Sequence, residues 1–131
     1  MTQSYPALMT LLAVLWYVVT AYYVGHARVR YKVKAPATTG DPAFERAYRV
    51  QMNELEQLVG FLPAMWIFAW FGDPRMAALA CCAWLAGRII YAVGYWADPG
   101  KRGTGFTISM FVFALTWAGA LGGVLRQLGW A

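Results

Sequence analysis

Long apolar stretches are the feature that most restricts how this chain can fold. The first runs from Tyr5 to Ala27 without a charged side chain, and His26 is its only strongly polar group. A helix needs about 20 mostly apolar residues to cross the hydrocarbon layer of a membrane. Because 60% of the 131 residues are hydrophobic and only 13% are charged, a lipid environment explains these stretches better than the core of a small soluble domain. The sequence therefore predicts an all-α membrane protein.

Four membrane-spanning helices are predicted. Asp41-Pro42 and Asp73-Pro74 are helix start signals, because Asp caps a helix N-terminus and Pro suits the first helical position. The first span lacks the basic beginning of a signal peptide, so we expect it to be retained. The predicted spans cover residues 5–27, 42–71, 74–97 and 104–128, and residues 1–131 are expected to form one four-helix bundle.

The basic residues are concentrated in two connections. The segment between the first two spans contains Arg28, Arg30, Lys32 and Lys34, the start of the second span adds Arg46 and Arg49, and Lys101 and Arg102 lie between the last two spans. By the positive-inside rule, the connections 28–54 and 98–103 should face the cytosol, in a bacterial inner membrane or in the endoplasmic reticulum. The net charge of +5 comes mainly from basic residues beside the membrane spans, where they can bind anionic lipid headgroups. No nucleic-acid partner is therefore expected.

The two cysteines, Cys81 and Cys82, are adjacent within an apolar span. Neighbouring residues in a helix cannot form an ordinary disulfide with one another, and this spacing is not that of metal ligands. We expect both to be packing residues and predict no metal site.

Polar side chains recur on one face of each of two predicted helices. Arg49, Asn53 and Glu56 are separated by four and then three residues, and so are directed to one side of the second helix. A charged group at the bilayer centre costs ~3 kcal/mol or more, so this stripe must face another helix or a wet cavity. On the third helix, the residues that share a face in the same way are Arg88, Tyr91 and Tyr95.

A purely structural role is the alternative explanation for these polar faces. Arg88 and Glu56 could form a buried ion pair, Asn53 could join two helices, and the tyrosines could anchor the helices at the headgroups. However, the arginines of this region outnumber Glu56 as an available partner. An anionic ligand would balance the surplus positive charge.

Two segments carry a resemblance to a known family. The segment 44–56, with Arg49, Asn53 and Glu56 at the spacing described above, resembles the second-helix signature of the membrane-associated proteins in eicosanoid and glutathione metabolism (MAPEG). The segment 87–95 is similar to the Arg-x-x-Tyr-x-x-Gly-Tyr motif of the leukotriene C4 synthase and microsomal glutathione transferase branch. Arg102 lies at the position of that branch's thiolate-binding arginine.

The resemblance implies a homotrimer of four-helix subunits with glutathione bound between neighbours. Arg49, Asn53 and Glu56 of one subunit would then meet residues of the next, namely Arg28, Arg88, Tyr91, Tyr95 and Arg102. Several arginines suit the two carboxylates of glutathione, and one glutamate suits its ammonium group. Arg102 is the candidate catalytic residue, because a cation at a helix N-terminus favours the thiolate that attacks the second substrate.

The resemblance leaves several functions open. Gln57 and Val29 replace a tyrosine and an arginine of leukotriene C4 synthase, which favours a broad glutathione transferase that conjugates hydrophobic electrophiles and reduces lipid hydroperoxides. We expect the hydrophobic substrate to enter from membrane lipid, along a groove that includes Trp117 and Phe113. The alternatives are a non-catalytic lipid-binding scaffold of the same family, which Arg102 argues against, and a small multidrug transporter, whose first-span carboxylate this chain lacks.

Overall fold

The computed structural model describes residues 2–130 and contains four long helices within them. These are α1 (Ser4–Tyr31), α2 (Pro42–Phe71), α3 (Pro74–Ala97) and α4 (Gly103–Gln127), with a 3-10 turn at Pro99–Lys101 before α4. The predicted all-α class is confirmed, and each predicted span agrees with a helix to within four residues. Three segments, Ser4–Tyr31, Pro74–Ala97 and Pro99–Gln127, are long and apolar enough to cross a membrane. The α2 helix is absent from that group, since its N-terminal half carries charged residues.

The two Asp-Pro signals start helices as predicted. The carboxylate of Asp41 accepts a hydrogen bond from the Ala43 amide at 2.8 Å. Asp73 accepts hydrogen bonds from the amides of Arg75 and Met76 at 2.8 and 3.0 Å. Each bond satisfies an amide that the first turn of a helix leaves without a partner.

The interior of the bundle is apolar and lies around α2 and α3, which pack against one another and against both α1 and α4. At its centre the ring of Phe61 stacks on that of Trp84, with 4.3 Å between the ring centroids. Cys81 is buried in this core, whereas Cys82 is exposed on the outer side of α3. The packing role predicted for both cysteines therefore describes Cys81 only.

Glycines bring α3 and α4 into close contact. A Cβ atom placed on Gly105 would collide with the backbone of Tyr91 and lie 2.6 Å from the carbonyl oxygen of Gly87. One on Gly94 would lie 2.6 Å from the carbonyl oxygen of Lys101. Small residues let helix backbones approach one another, which is the usual way that membrane helices pack. This seam holds the start of α4 against the end of α3.

Candidate functional site

A polar cavity of about 400 Å³ opens at the end of the bundle where α2 begins and α3 ends. The N-terminal half of α2, the last turns of α3 and the start of α4 all contribute to its wall. Five of the eight predicted site residues line it, together with Gly103 and Phe106: Arg49, Asn53, Tyr91, Tyr95 and Arg102. The polar faces of α2 and α3 therefore meet at one cavity within the chain.

Arg102 lies directly before α4, at the mouth of the cavity. Asp98 shapes the preceding turn by accepting a hydrogen bond from the amide of Gly100 at 2.8 Å. The guanidinium of Arg102 lies 5.5 Å from the centroid of the Tyr95 ring, a distance at which a cation is attracted to the ring face. Arg102 is exposed, so its charge is available to a ligand in the cavity.

Arg88, one of the expected glutathione ligands, does not line the cavity of the single chain. Its side chain is fully buried, and its Nε donates to Oε2 of Glu54 at 2.9 Å. Its terminal nitrogens donate to Oδ1 of Asn53 at 2.6 Å and to Oγ of Ser109 at 3.5 Å. The guanidinium also lies over the ring of Tyr91, 4.3 Å from its centroid. Arg88 thus lies behind the cavity wall and contacts two of the residues that form it.

The partner of Arg88 is Glu54 and not Glu56, the glutamate that the helix spacing suggested. The two glutamates point to different sides of α2, because two residues in a helix are about 200° apart. Glu54 belongs to the buried face, and Glu56 is exposed. The sequence contains a sign that Glu54 is buried. It interrupts an otherwise apolar series on the buried face of α2, which consists of Ala47, Val50, Leu58 and Phe61.

Arg28 and Glu56 lie outside the cavity. The guanidinium of Arg28 donates to the carbonyl oxygen of Ala37 at 2.7 Å and lies 4.9 Å from the centroid of the Phe44 ring. These contacts hold the end of α1 against the connection that follows it. Of the eight predicted residues, Arg28, Glu56 and Arg88 are therefore the three that the cavity of one chain does not include.

The division of the site between subunits that the resemblance implies stays a prediction, because the structure contains one chain. Arg49 and Asn53 were expected to meet the tyrosines and Arg102 of a neighbouring subunit. Within a single chain, both already line the same cavity as Tyr91 and Tyr95. The reason is that α2 packs along α3 in the same protomer, so their polar faces already meet there.

The two residues expected in the hydrophobic groove lie in different places. Trp117 lines a small apolar pocket of about 170 Å³ with Ala64 and Ile67 on the outer side of α2 and α4. Phe113 instead packs inward against Phe61, with 5.9 Å between the ring centroids. In one chain they do not form a common groove.

The charges of the cavity are not balanced by the chain's own carboxylates. Within residues 2–130, the pair between Arg88 and Glu54 is the only ion pair. Arg49 and Arg102 therefore contribute two positive charges to the cavity wall, beside the amide of Asn53 and the two phenol groups. This set of donors suits a small ligand with more than one anionic group, because arginine forks bind carboxylates in a bidentate manner.

The sequence is similar to one protein family and to several known proteins. The profile of the MAPEG family matches residues 6–122. An uncharacterised protein of Synechocystis sp. is 48% identical over 124 residues, which are 95% of this chain and 90% of that protein. Human microsomal glutathione S-transferase 2 is 41% identical over 103 residues, 78% of this chain and 70% of the relative. Bovine leukotriene C4 synthase is 39% identical over 96 residues, 73% of this chain and 64% of the relative.

The family profile covers nearly all of α1 to α4, and the matched region includes every residue that lines the cavity. The suspected resemblance is thereby confirmed, and with it the assignment to an integral membrane protein. The chain belongs to the MAPEG family.

Proposed function

We propose that the protein is a membrane-embedded glutathione transferase that ionises glutathione and joins its sulfur to a hydrophobic electrophile. The observation that carries this proposal is the cavity with two arginines, Arg49 and Arg102, that have no carboxylate partner within residues 2–130. The likeness to a microsomal glutathione S-transferase and a leukotriene C4 synthase supports it. Lipid hydroperoxides are a second class of substrate that the same thiolate could reduce.

The cavity residues match the chemistry of glutathione. The tripeptide carries two carboxylates, and the fork of Arg49 can bind one of them through two parallel hydrogen bonds. The amide of Asn53 and the phenols of Tyr91 and Tyr95 are neutral groups that can fix its orientation. We further propose that Arg28 and Glu56 reach the ligand from the interface between protomers of a homotrimer, where Glu56 would hold the ammonium group.

Arg102 is proposed to stabilise the thiolate. A free thiol has a pKa of about 8.5, so most glutathione is protonated at neutral pH, and only the anion is a strong nucleophile. A permanent cation beside the N-terminus of α4 favours the anion through both its charge and the helix dipole. The sulfur then forms a bond to the electrophilic carbon, whose leaving group departs with the electron pair of the broken bond.

The membrane supplies the second substrate in this proposal. Large apolar side chains cover the outer faces of α1 and α4, so a hydrophobic electrophile dissolved in the bilayer can approach the protein from the side. The charged segments 28–54 and 98–103, which include the end of α1 and the first turns of α2, are proposed to face the cytosol, which is where glutathione enters. The four helices, including α2, would span either a bacterial inner membrane or the endoplasmic reticulum and act as one domain.

The decisive experiment measures the ultraviolet absorbance of the glutathione thiolate after mixing with purified protein. The wild-type protein should produce this absorbance at neutral pH, and Arg102→Ala should abolish it while glutathione still binds. Lys101→Ala is the matched control, because it removes a neighbouring exposed cation that does not line the cavity. It should leave the signal unchanged.

Two results would contradict the proposal. If the wild-type protein binds glutathione without ionising it, the chain is a binding scaffold and not an enzyme. If Lys101→Ala and Arg102→Ala lower the signal equally, general surface charge and not Arg102 is responsible. Parallel assays with a chlorinated aromatic electrophile and a lipid hydroperoxide then separate conjugation from reduction.

A further inference from the structure

The ion pair between Arg88 and Glu54 is the most deeply buried charged group of the described chain. Both side chains have 0% exposure. Burying two charges is costly, and a pair of apolar residues of similar size often stabilises a fold as well or better. Moreover, the second carboxylate oxygen of Glu54, Oε1, has no hydrogen-bond partner within residues 2–130. Stability alone is therefore a poor explanation for this pair.

The contacts of Arg88 indicate a different purpose. Two of the residues that it touches, Asn53 and Tyr91, also line the cavity. A guanidinium has only donors, so the Asn53 atom that faces Arg88 must be the carbonyl oxygen Oδ1. The amide nitrogen Nδ2 is then left for the cavity. Arg88 thereby fixes which way the Asn53 amide points and supports the ring of Tyr91 from behind.

Glu54 in turn fixes Arg88. Its Oε2 accepts from Nε of the guanidinium, which leaves the terminal nitrogens for Asn53 and Ser109. Its negative charge also cancels that of Arg88, so the uncompensated positive charge of the cavity comes from Arg49 and Arg102. Glu54 does not line the cavity itself.

We propose that Glu54 is a positioning residue for the glutathione site, and that it acts through Arg88 on Asn53 and Tyr91. The inference rests on the proposed function, which it deepens. It assigns Arg88 to the support of the cavity wall and not to direct contact with glutathione. It also distinguishes two kinds of arginine in the site. Arg49 and Arg102 bind the ligand, whereas Arg88 holds other ligand-binding residues in position.

The first test compares Glu54→Gln with wild type by glutathione titration. The amide keeps the size of the side chain but removes the charge that holds Arg88, so Asn53 loses its fixed orientation and the Kd for glutathione should rise about tenfold. At saturating glutathione, the thiolate absorbance per bound molecule should stay near the wild-type value, because Arg102 is untouched. Glu45→Gln, a glutamate in the first turn of the same helix, is the control and should change neither quantity.

A raised Kd with an unchanged thiolate absorbance distinguishes a positioning role from direct binding of glutathione by Arg88. If Arg88 bound glutathione directly, Glu54→Gln would free it for the ligand, and the Kd would stay the same or fall. Either result overturns the proposal. A loss of the thiolate signal per bound glutathione would also overturn it, since the effect would then extend to the chemistry at Arg102.

A second variant keeps the test valid if Glu54→Gln fails to fold. Glu54→Leu with Arg88→Leu removes both charges together and leaves no unpaired ion, so we expect a thermal stability close to that of wild type. Its Kd for glutathione should still be raised about tenfold, because nothing orients Asn53. Unchanged binding in this folded double variant would show that the pair only joins helices. The wild-type thiolate signal tests the transferase proposal separately from both variants.

Discussion

At the scale of single residues, the environment of each arginine decides what it does. Arg88 is buried and has a carboxylate within hydrogen-bond distance, so its charge is neutralised inside the protein. Arg49 and Arg102 line a cavity and have no such partner in the described part of the chain. Arg28 is held by the carbonyl oxygen of Ala37 at the end of α1. The four side chains are chemically identical. Only their neighbours distinguish an arginine that can bind a ligand from one that supports the structure.

Arg49→Ala should weaken glutathione binding without preventing ionisation. Loss of a hydrogen bond to a charged group costs about 1.5–3 kcal/mol, which corresponds to roughly a tenfold to hundredfold rise in KM for glutathione. The thiolate absorbance at saturation should persist, because Arg102 supplies the charge beside the sulfur. Arg30→Ala provides the comparison, since Arg30 is an exposed arginine outside the cavity. Equal effects of both variants on KM would refute a specific role for Arg49.

At the scale of helices, the seam between α3 and α4 sets the geometry of the cavity. Gly105 lets the backbone of α4 approach that of α3 at Tyr91, and Gly87 does so at Ser109. The first turn of α4 is thereby held beside the last turns of α3, with Arg102 close to Tyr95. Widening this seam should move the proposed thiolate arginine relative to the tyrosines.

Gly105→Ala should therefore damage both stability and binding. The added Cβ would collide with the Tyr91 backbone, and overpacking of this kind costs about 1–3 kcal/mol. Gly122→Ala is the matched control on the same helix, because no atom lies within 4 Å of its added Cβ. Alanine is the better helix former, so this control should keep or raise stability. Thermal unfolding in detergent and glutathione titration measure the two effects, and identical behaviour of the variants would show that the seam is not needed.

The helices were more predictable from the sequence than the way they face one another. Local chemistry marks a helix start, and both Asp-Pro signals begin helices where expected. Local spacing also shows which residues share a face, as with Arg49 and Asn53. It does not show which face of α2 turns towards α3, because that depends on packing between residues far apart in the chain. For this reason Glu54 was missed as the partner of Arg88, 34 residues away.

At the scale of the whole molecule, one chain contains most of the proposed site but not all of it. The cavity includes five of the predicted residues, while Arg28 and Glu56 lie outside it. The outer surface is rich in exposed apolar side chains, among them Leu11 and Leu15 on α1 and Phe111 and Leu115 on α4. Such a surface suits both lipid and further copies of the chain. The proposed homotrimer would add Arg28 and Glu56 to a neighbour's cavity.

Mixed trimers test this arrangement directly. Chains with Arg28→Ala and chains with Arg102→Ala should each be nearly inactive as homotrimers. If Arg28 acts on a neighbouring cavity, a mixed trimer contains sites in which an intact Arg102 meets an intact Arg28 of the adjacent chain. Random mixing of equal amounts should then restore about a quarter of the wild-type activity, because half of the chains keep Arg102 and half of their neighbours keep Arg28. If Arg28 acts within its own chain, no mixture can restore activity, so an absence of recovery would place the complete site in a single protomer.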